Sequence, residues 1–180
     1  MRKQLYVAAA LACSPLSAVY ATEININPLG LIIGSLNGNA LFTLTEDETT
    51  KVGPSFGYLG LDLGDVKLTA TTIGVRFEKS TATQGYDDGA FFAANAGYTS
   101  LTVEETDSYS STNCEATATG LTATGLVGYG WYFDNGFSSR VAGGYTVGNL
   151  DIEAQCDNEA ETAAEAYGGL ALEWTLGFRF

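Results

Sequence analysis

The closing segment of the chain alternates with a period of two. Ala166, Leu170, Leu172, Trp174, Leu176, Phe178 and Phe180 share one parity, with only Gly168 breaking the apolar series. The other parity reads Glu165, Tyr167, Gly169, Ala171, Glu173, Thr175, Gly177 and Arg179. Successive side chains of a strand point to opposite faces, so one side of this segment is greasy and the other is small, polar or charged. The pattern occurs twice more just upstream. Phe137, Val141, Tyr145 and Val147 oppose Ser138, Arg140, Thr146 and Gly148, and Leu121, Val127, Tyr129, Trp131 and Phe133 oppose Thr122, Thr124, Gly128 and Gly130. Asp134-Asn135-Gly136 joins these two stretches through residues that tolerate positive φ, as a tight hairpin requires.

Earlier strands are predicted at Ala90–Val103, Val66–Lys79, Val52–Leu63 and Gly38–Thr45. A first strand is placed at Asn27–Ile33, although it carries Pro28; with it the count is eight, without it seven. Helical periodicity is weak, and the abundant glycine and threonine disfavour helix interiors. No stretch approaches twenty consecutive apolar residues, so a bundle of transmembrane helices is excluded. The expected fold is all-β: a single antiparallel up-and-down barrel of eight strands.

Alternation alone does not separate a soluble barrel from a membrane one, because the two differ in which face is apolar. The second face decides. A soluble barrel would cover its exterior with Lys, Glu and Arg. Here that face carries Gly, Ala, Ser and Thr with isolated charges, which suits a crowded interior. Trp131, Phe133, Phe137, Phe178, Phe180 and Phe77 fall at one rim if strands alternate in direction, as in an interfacial aromatic girdle. A transmembrane barrel follows, with the 134–136 turn and the C-terminus on the periplasmic side. Segments 104–115 and 154–164 become outward loops, and Ser80–Asp88 a long inward one.

The N-terminal stretch reads as a secretory signal over residues 1–21: Arg2 and Lys3, the apolar run Leu5–Ala12, and a cleavage site after Ala21, leaving 22–180 as the barrel domain. A competing reading makes Cys13 a lipidated N-terminus, but the usual leucine three residues earlier is missing. Without Arg2 and Lys3, six basic residues remain against 21 acidic ones, a net charge of −15. So acidic a chain does not hold nucleic acid, which needs a basic face. Cys114 and Cys156 remain in an oxidising compartment, on neighbouring hairpins of one side, and a disulfide between them is expected.

The signal ending at Ala21 and the closing strand Leu170-Ala171-Leu172-Glu173-Trp174-Thr175-Leu176-Gly177-Phe178-Arg179-Phe180 carry a resemblance to small bacterial outer-membrane β-barrel proteins of the OmpA/OmpX-like size class. Asn27-Pro28-Leu29-Gly30-Leu31-Ile32-Ile33-Gly34 is similar to the opening of uncharacterised small barrels of this type. The resemblance implies residence in the bacterial outer membrane. It also implies that Trp174, Leu176, Phe178 and Phe180 form the assembly signal read by the barrel-insertion machinery, and that outer-membrane lipid and lipopolysaccharide are the surroundings.

Barrels of the resembled class that act on lipids or proteins use histidine, and this chain has none. A serine nucleophile then lacks its usual base. No catalytic residue, cofactor or metal ligand set is expected, and the chain is read as no enzyme. Gly125, Gly128 and Gly130 lack the strand–loop–helix setting of a nucleotide loop. Arg76, Glu78, Arg140, Glu173 and Arg179 share the inward parity, and opposite charges in a narrow barrel must pair. They are read as a charge network that fills the lumen, the alternative being a gated ion path. The outward segments carry Glu104, Glu105, Asp107, Glu115, Asp151, Glu153, Asp157, Glu159, Glu161 and Glu165, a solvated acidic rim whose spacing matches no calcium loop. Three function classes are open: a structural or surface-interaction barrel meeting an extracellular ligand through these loops, a small ion channel, and a lipid-modifying enzyme.

Overall fold

A computed structural model describes residues 21–32, 34–106, 113–156 and 159–180, of which 21, 22, 106, 113, 114, 156 and 159–161 by backbone alone. Apart from Ala21, the expected signal segment lies outside the described residues. The order is β1 (Ala21–Ile26), α1 (Pro28–Ile32), β2 (Ser35–Thr43), β3 (Thr50–Asp62), β4 (Val66–Ser80), β5 (Gly89–Thr106), β6 (Asn113–Tyr132), β7 (Phe137–Cys156) and β8 (Glu159–Arg179). Each strand pairs antiparallel with the next, and β1 pairs with β8 to close a barrel.

The eighth strand is not the one the sequence predicts. Where the strand Asn27–Ile33 was expected, the described residues Pro28–Ile32 form one helical turn, and the first strand precedes it; Ile33 lies outside the described residues. Proline lacks the N–H a ladder needs but suits the first helical position. The Asn27 side-chain carbonyl accepts from the amides of Leu29 at 3.0 Å and Gly30 at 3.4 Å, capping the turn. At the other end, the β6–β7 turn follows its composition. The Phe133 amide donates to Phe137, the Gly136 amide to Phe133, and Gly136 sits at φ 85°.

The described residues of segments 104–115 and 154–164 are also not loops. β5 runs through Thr106, β6 starts at Asn113, β7 ends at Cys156 and β8 starts at Glu159, so most of the acidic residues there stand on strands. Their alternation is diluted by Ala and Thr, and charge alone had marked them as loop. The result is a lopsided barrel. β1 has 6 residues and β2 has 9, whereas β6 and β7 have 20 each and β8 has 21. β1 meets β8 only between Glu23↔Arg179 and Ile26↔Leu176. Above Leu176 the free side of β8 has α1 as its neighbour, and α1 also touches β2.

The outer surface carries a belt of exposed apolar side chains. It includes Ile73 at 70% exposure, Leu121 at 71%, Leu170 at 88% and Leu172 at 85%. On β6 the belt runs from Trp131 to Leu121 and on β7 from Phe137 to Val147, eleven residues of each strand. A tilted strand crosses hydrocarbon in about 9–11 residues. At the rim beside the Asp134–Gly136 turn, Phe137, Phe178 and Phe180 pack edge to face, with ring centres 5.4 and 5.3 Å apart. Inside, Phe91, Ala93, Leu126 and Ala142 form a small buried apolar cluster on the β5–β7 side.

Above the belt the polarity of the two faces exchanges. Outward positions become Thr71, Ser100, Thr119 and Asp151. Inward, a cross-strand row runs Leu59–Ala70–Leu101–Ala118–Ile152–Ala163, each residue directly opposite the next. The wall built by β5–β8 therefore stands beyond the belt with a polar outside and an apolar inside.

Candidate functional site

Three cations and three carboxylates cross the interior in one alternating chain: Lys51, Glu23, Arg140, Glu78, Arg76, Glu173. Lys51 Nζ lies 3.0 Å from Glu23 Oε2, and Arg140 Nη2 lies 3.4 Å from Glu23 Oε1. Arg140 Nη1 donates to Glu78 Oε1, Arg76 Nη2 is 3.1 Å from Glu78 Oε2, and Arg76 Nη1 is 2.9 Å from Glu173 Oε2. The side chains of Lys51, Glu23, Arg140, Glu78 and Arg76 are all buried. The formal charges cancel. In a narrow interior this matters, because each ion's desolvation has to be offset by its neighbours. The Ser138 hydroxyl adds a bond to Glu23 Oε1 at 2.9 Å.

The arrangement brings together four of the five charges read as inward from sequence: Arg76, Glu78, Arg140 and Glu173. Arg179 stands apart. Its side chain lies at the rim, with its guanidinium carbon 4.4 Å from the Tyr86 ring centre. It keeps the inward parity, directly opposite Glu23, but is exposed at the rim and forms none of the ion pairs of the chain. Two members were missed, Glu23 and Lys51. Glu23 lies on the strand that the proline displaced from its expected place. Lys51 precedes Val52, where β3 was expected to start, although its odd number matches the inward parity of that strand.

Loop 81–88 closes the same end. Lys51 Nζ donates to the carbonyl of Gly85 at 3.1 Å and sits 3.8 Å from the centre of the Tyr86 ring. The Gly85 amide donates to the Asp47 carbonyl of loop 44–49, and a Cβ at Gly85 would lie 1.7 Å from the Glu48 carbonyl oxygen. Tyr86 meets Tyr132 edge to face at 5.7 Å. Burial, reinforced by the charges of Glu23 and Glu48, pushes the Tyr86 hydroxyl well above the ordinary tyrosine range, so it stays protonated. In loop 44–49, the Asp47 carboxylate accepts from the Thr45 and Thr49 hydroxyls and the Thr49 amide, and is held down to about 2.

Above the ion chain lies a cavity of about 320 Å³. Its walls mix neutral polar side chains, among them Asn37, Asn39, Thr72, Asn95, Thr122 and Thr146, with apolar ones such as Leu126 and Ala171, and Arg76, Glu173 and Thr175 lie at its floor. Threonine hydroxyls bond across neighbouring strands, Thr72 to Thr99 at 2.9 Å and Thr124 to Thr146 at 2.8 Å. Thr175 is 2% exposed and its hydroxyl has no partner among the described residues.

Strand register sets Cys114 directly opposite Cys156, as the outermost pair of β6 and β7; the two side chains themselves lie outside the described residues. Of the acidic positions, Glu104 and Glu153 share the outward face, and Glu105 and Glu165 the inward one. Asp107 and Asp157 lie outside the described residues. No three of the described Asp, Glu and Cys side chains converge as a metal site. Trp174 directs its indole N–H to Ser139 Oγ at 3.1 Å, tying the closing strand to β7.

No family model matches the chain, and no curated protein does. Among solved structures, the crystal structure of a major outer membrane protein from Thermus thermophilus is similar, with a TM-score of 0.57 over 88% of this chain and 97% of that one. At 12% sequence identity the likeness is one of fold: this chain has the fold of a small outer-membrane β-barrel.

Proposed function

We propose that this chain is an exported, integral barrel of the bacterial outer membrane that does not conduct ions and acts at the cell surface through the wall of β5–β8. The observation that carries this reading is the ion chain from Lys51 to Glu173. It fills the periplasmic end with five charge contacts, underlain by loop 81–88. A channel needs a continuous polar path, and here the path ends on paired charges. The belt supports the location. Eleven-residue stretches whose outward face is apolar, bounded by Trp131, Phe137 and Phe178, fit a hydrocarbon layer and its interface. Beyond the belt β6 continues for eight residues, Asn113 to Gly120, roughly 20–25 Å of strand. Such an extension serves contact with something outside, whether lipopolysaccharide, a neighbouring cell or a dissolved ligand. Trp174, Leu176, Phe178 and Phe180 serve insertion, as the signal read by the assembly machinery. No catalytic role is part of this reading, since the chain has no histidine to activate a serine.

The test is fractionation followed by planar-bilayer recording. The protein should remain with the outer membrane, migrate differently on a gel before and after boiling, and give no single-channel steps. Stable steps from the unaltered protein would restore the channel reading.

A further inference from the structure

We propose that the polar cavity and the apolar inner wall above it form one binding site for a neutral amphiphile, a small hydroxylated head group on a short alkyl chain, entering from the outer side. The inference rests on the surface-barrel reading above and adds the class of ligand.

Two rows carry it. Leu59 and Ala70 line the top of the cavity, and their row continues across Leu101, Ala118 and Ile152. One register higher, Leu61, Leu68, Val103, Ala116 and Ala154 form a second row on the same face. Directly opposed residues of a sheet share a face, so both rows look inward. They stand above the hydrocarbon belt, in water, where a sheet ordinarily turns its apolar face toward a partner layer. Little of the fold stands across from them: β1 ends at Ile26, below both rows, and β2 begins at Ser35, which pairs with Leu59 at the level of the lower row, with α1 beside it. An alkyl chain laid against Leu101 and Ile152 would cover them.

The cavity below selects the head. Its polar groups are amides and hydroxyls set among apolar ones such as Leu126, and its floor charges, Arg76 and Glu173, already pair with each other. A charged head would find no unpaired counter-ion there. A hydroxylated one finds donors and acceptors, including the Thr175 hydroxyl, buried, facing the cavity and unpartnered among the described residues. Glu105, on the inward face above both rows, and Glu165, one register below Ala163, disfavour anions on approach.

The probe is octyl β-glucoside below its critical micelle concentration, added to the full chain in amphipol and read by saturation-transfer NMR, with glucose alone and a cationic octyl surfactant as comparisons. Saturable binding of octyl glucoside is expected, with glucose far weaker. Leu101→Asn with Ile152→Asn should weaken it about tenfold or more, the loss of at least one aliphatic contact. Thr175→Val should weaken it while leaving a polar-to-apolar swap of equal size in place. Both variants must keep the boiling-dependent gel shift; if the double variant does not insert, Ile152→Thr alone replaces it. The proposal is overturned if the heat-shifting protein shows no saturable binding, if both variants bind as the parent does, or if the cationic surfactant binds more tightly. Loss of the gel shift in the unaltered protein would instead sink the surface-barrel reading itself.

Discussion

Arg76 of β4 and Glu173 of β8 form a two-pronged ion pair through the barrel interior, Nη1 to Oε2 and Nη2 to Oε1, both at 2.9 Å. Four places separate these strands in a ring of eight, so the pair spans the barrel and ties opposite walls. Removing Arg76 alone leaves Glu173 without its partner and Glu78 with Arg140 only. Arg76→Leu should lower stability by about 3 kcal/mol or more, in the range for breaking a buried pair from one side. Arg76→Leu with Glu173→Leu should recover most of that loss, because both charges leave together and Glu78 keeps Arg140. Urea unfolding in lipid vesicles, followed by the boiling-dependent gel shift, compares them. Equal losses in the single and double variants would mean that the pair does not act as a unit.

Gly85 is where loop 81–88 passes closest to loop 44–49. A Cβ there would lie 1.7 Å from the Glu48 carbonyl oxygen and 2.1 Å from its carbon, both backbone atoms that cannot swing aside. Gly85→Ala should therefore push the loop away from Lys51, at a cost of about 1–3 kcal/mol for overpacking. Protease cleavage within 81–88 should rise while the strands stay intact. An unchanged cleavage pattern would show that the two loops do not hold each other.

The alternation of β6, β7 and β8 was legible because lipid-facing side chains are large and lumen-facing ones small, so parity alone sorts them. The hairpin at Asp134–Gly136 was legible for a local reason, the need for positive φ at Gly136. Three features were not. β1 directly follows in sequence the segment expected to be an export signal, where six residues of ATEINI offer little contrast, and Pro28 drew the strand to the wrong side of Asn27. The reversal of faces above Leu121 was hidden because a strand leaving hydrocarbon for water keeps its period and changes only its sign. The full ion chain was hidden because Lys51 and Glu23 are 28 residues apart and meet only once the ring closes. Arg179 shows the converse: it has inward parity, opposite Glu23, but at the open rim its guanidinium lies over the Tyr86 ring and outside the ion chain.

The turn at 44–49 has a pH dependence with a definite sign. Hydrogen bonds from the Thr45 hydroxyl first, then from the Thr49 hydroxyl and amide, hold Asp47 down to about 2. A carboxylate lowered on folding contributes stability above its unfolded pKa and loses it as pH falls through the folded one. The turn should thus stay closed at pH 4 and open as pH approaches 2. Asp47 is fully exposed, so the effect is confined to the turn. Carbon-13 titration of its carboxyl, with Asp47→Asn as the non-titrating control, reads it directly. A midpoint near the ordinary aspartate value would show that the three donors do not engage in solution.

Cys114 and Cys156 are Cα partners at the outer end of the β6–β7 ladder. Directly opposed residues of antiparallel strands sit about 4.5–5.5 Å apart at Cα, inside the span of about 4.4–6.8 Å that a disulfide bridges. In an oxidising compartment the pair should be joined, pinning the wall of β6 and β7 beyond the apolar belt, where no lipid supports it. The bond should add about 2–4 kcal/mol by restricting the unfolded chain. Because the belt lies below, Cys114→Ser should leave insertion and the gel shift intact while loosening the outer half of the wall, seen as faster amide exchange between residues 113 and 120. Alkylation of the exported protein gives the direct answer. Neither cysteine should react before reduction, and both should react afterwards; labelling of both without reductant would rule the bond out.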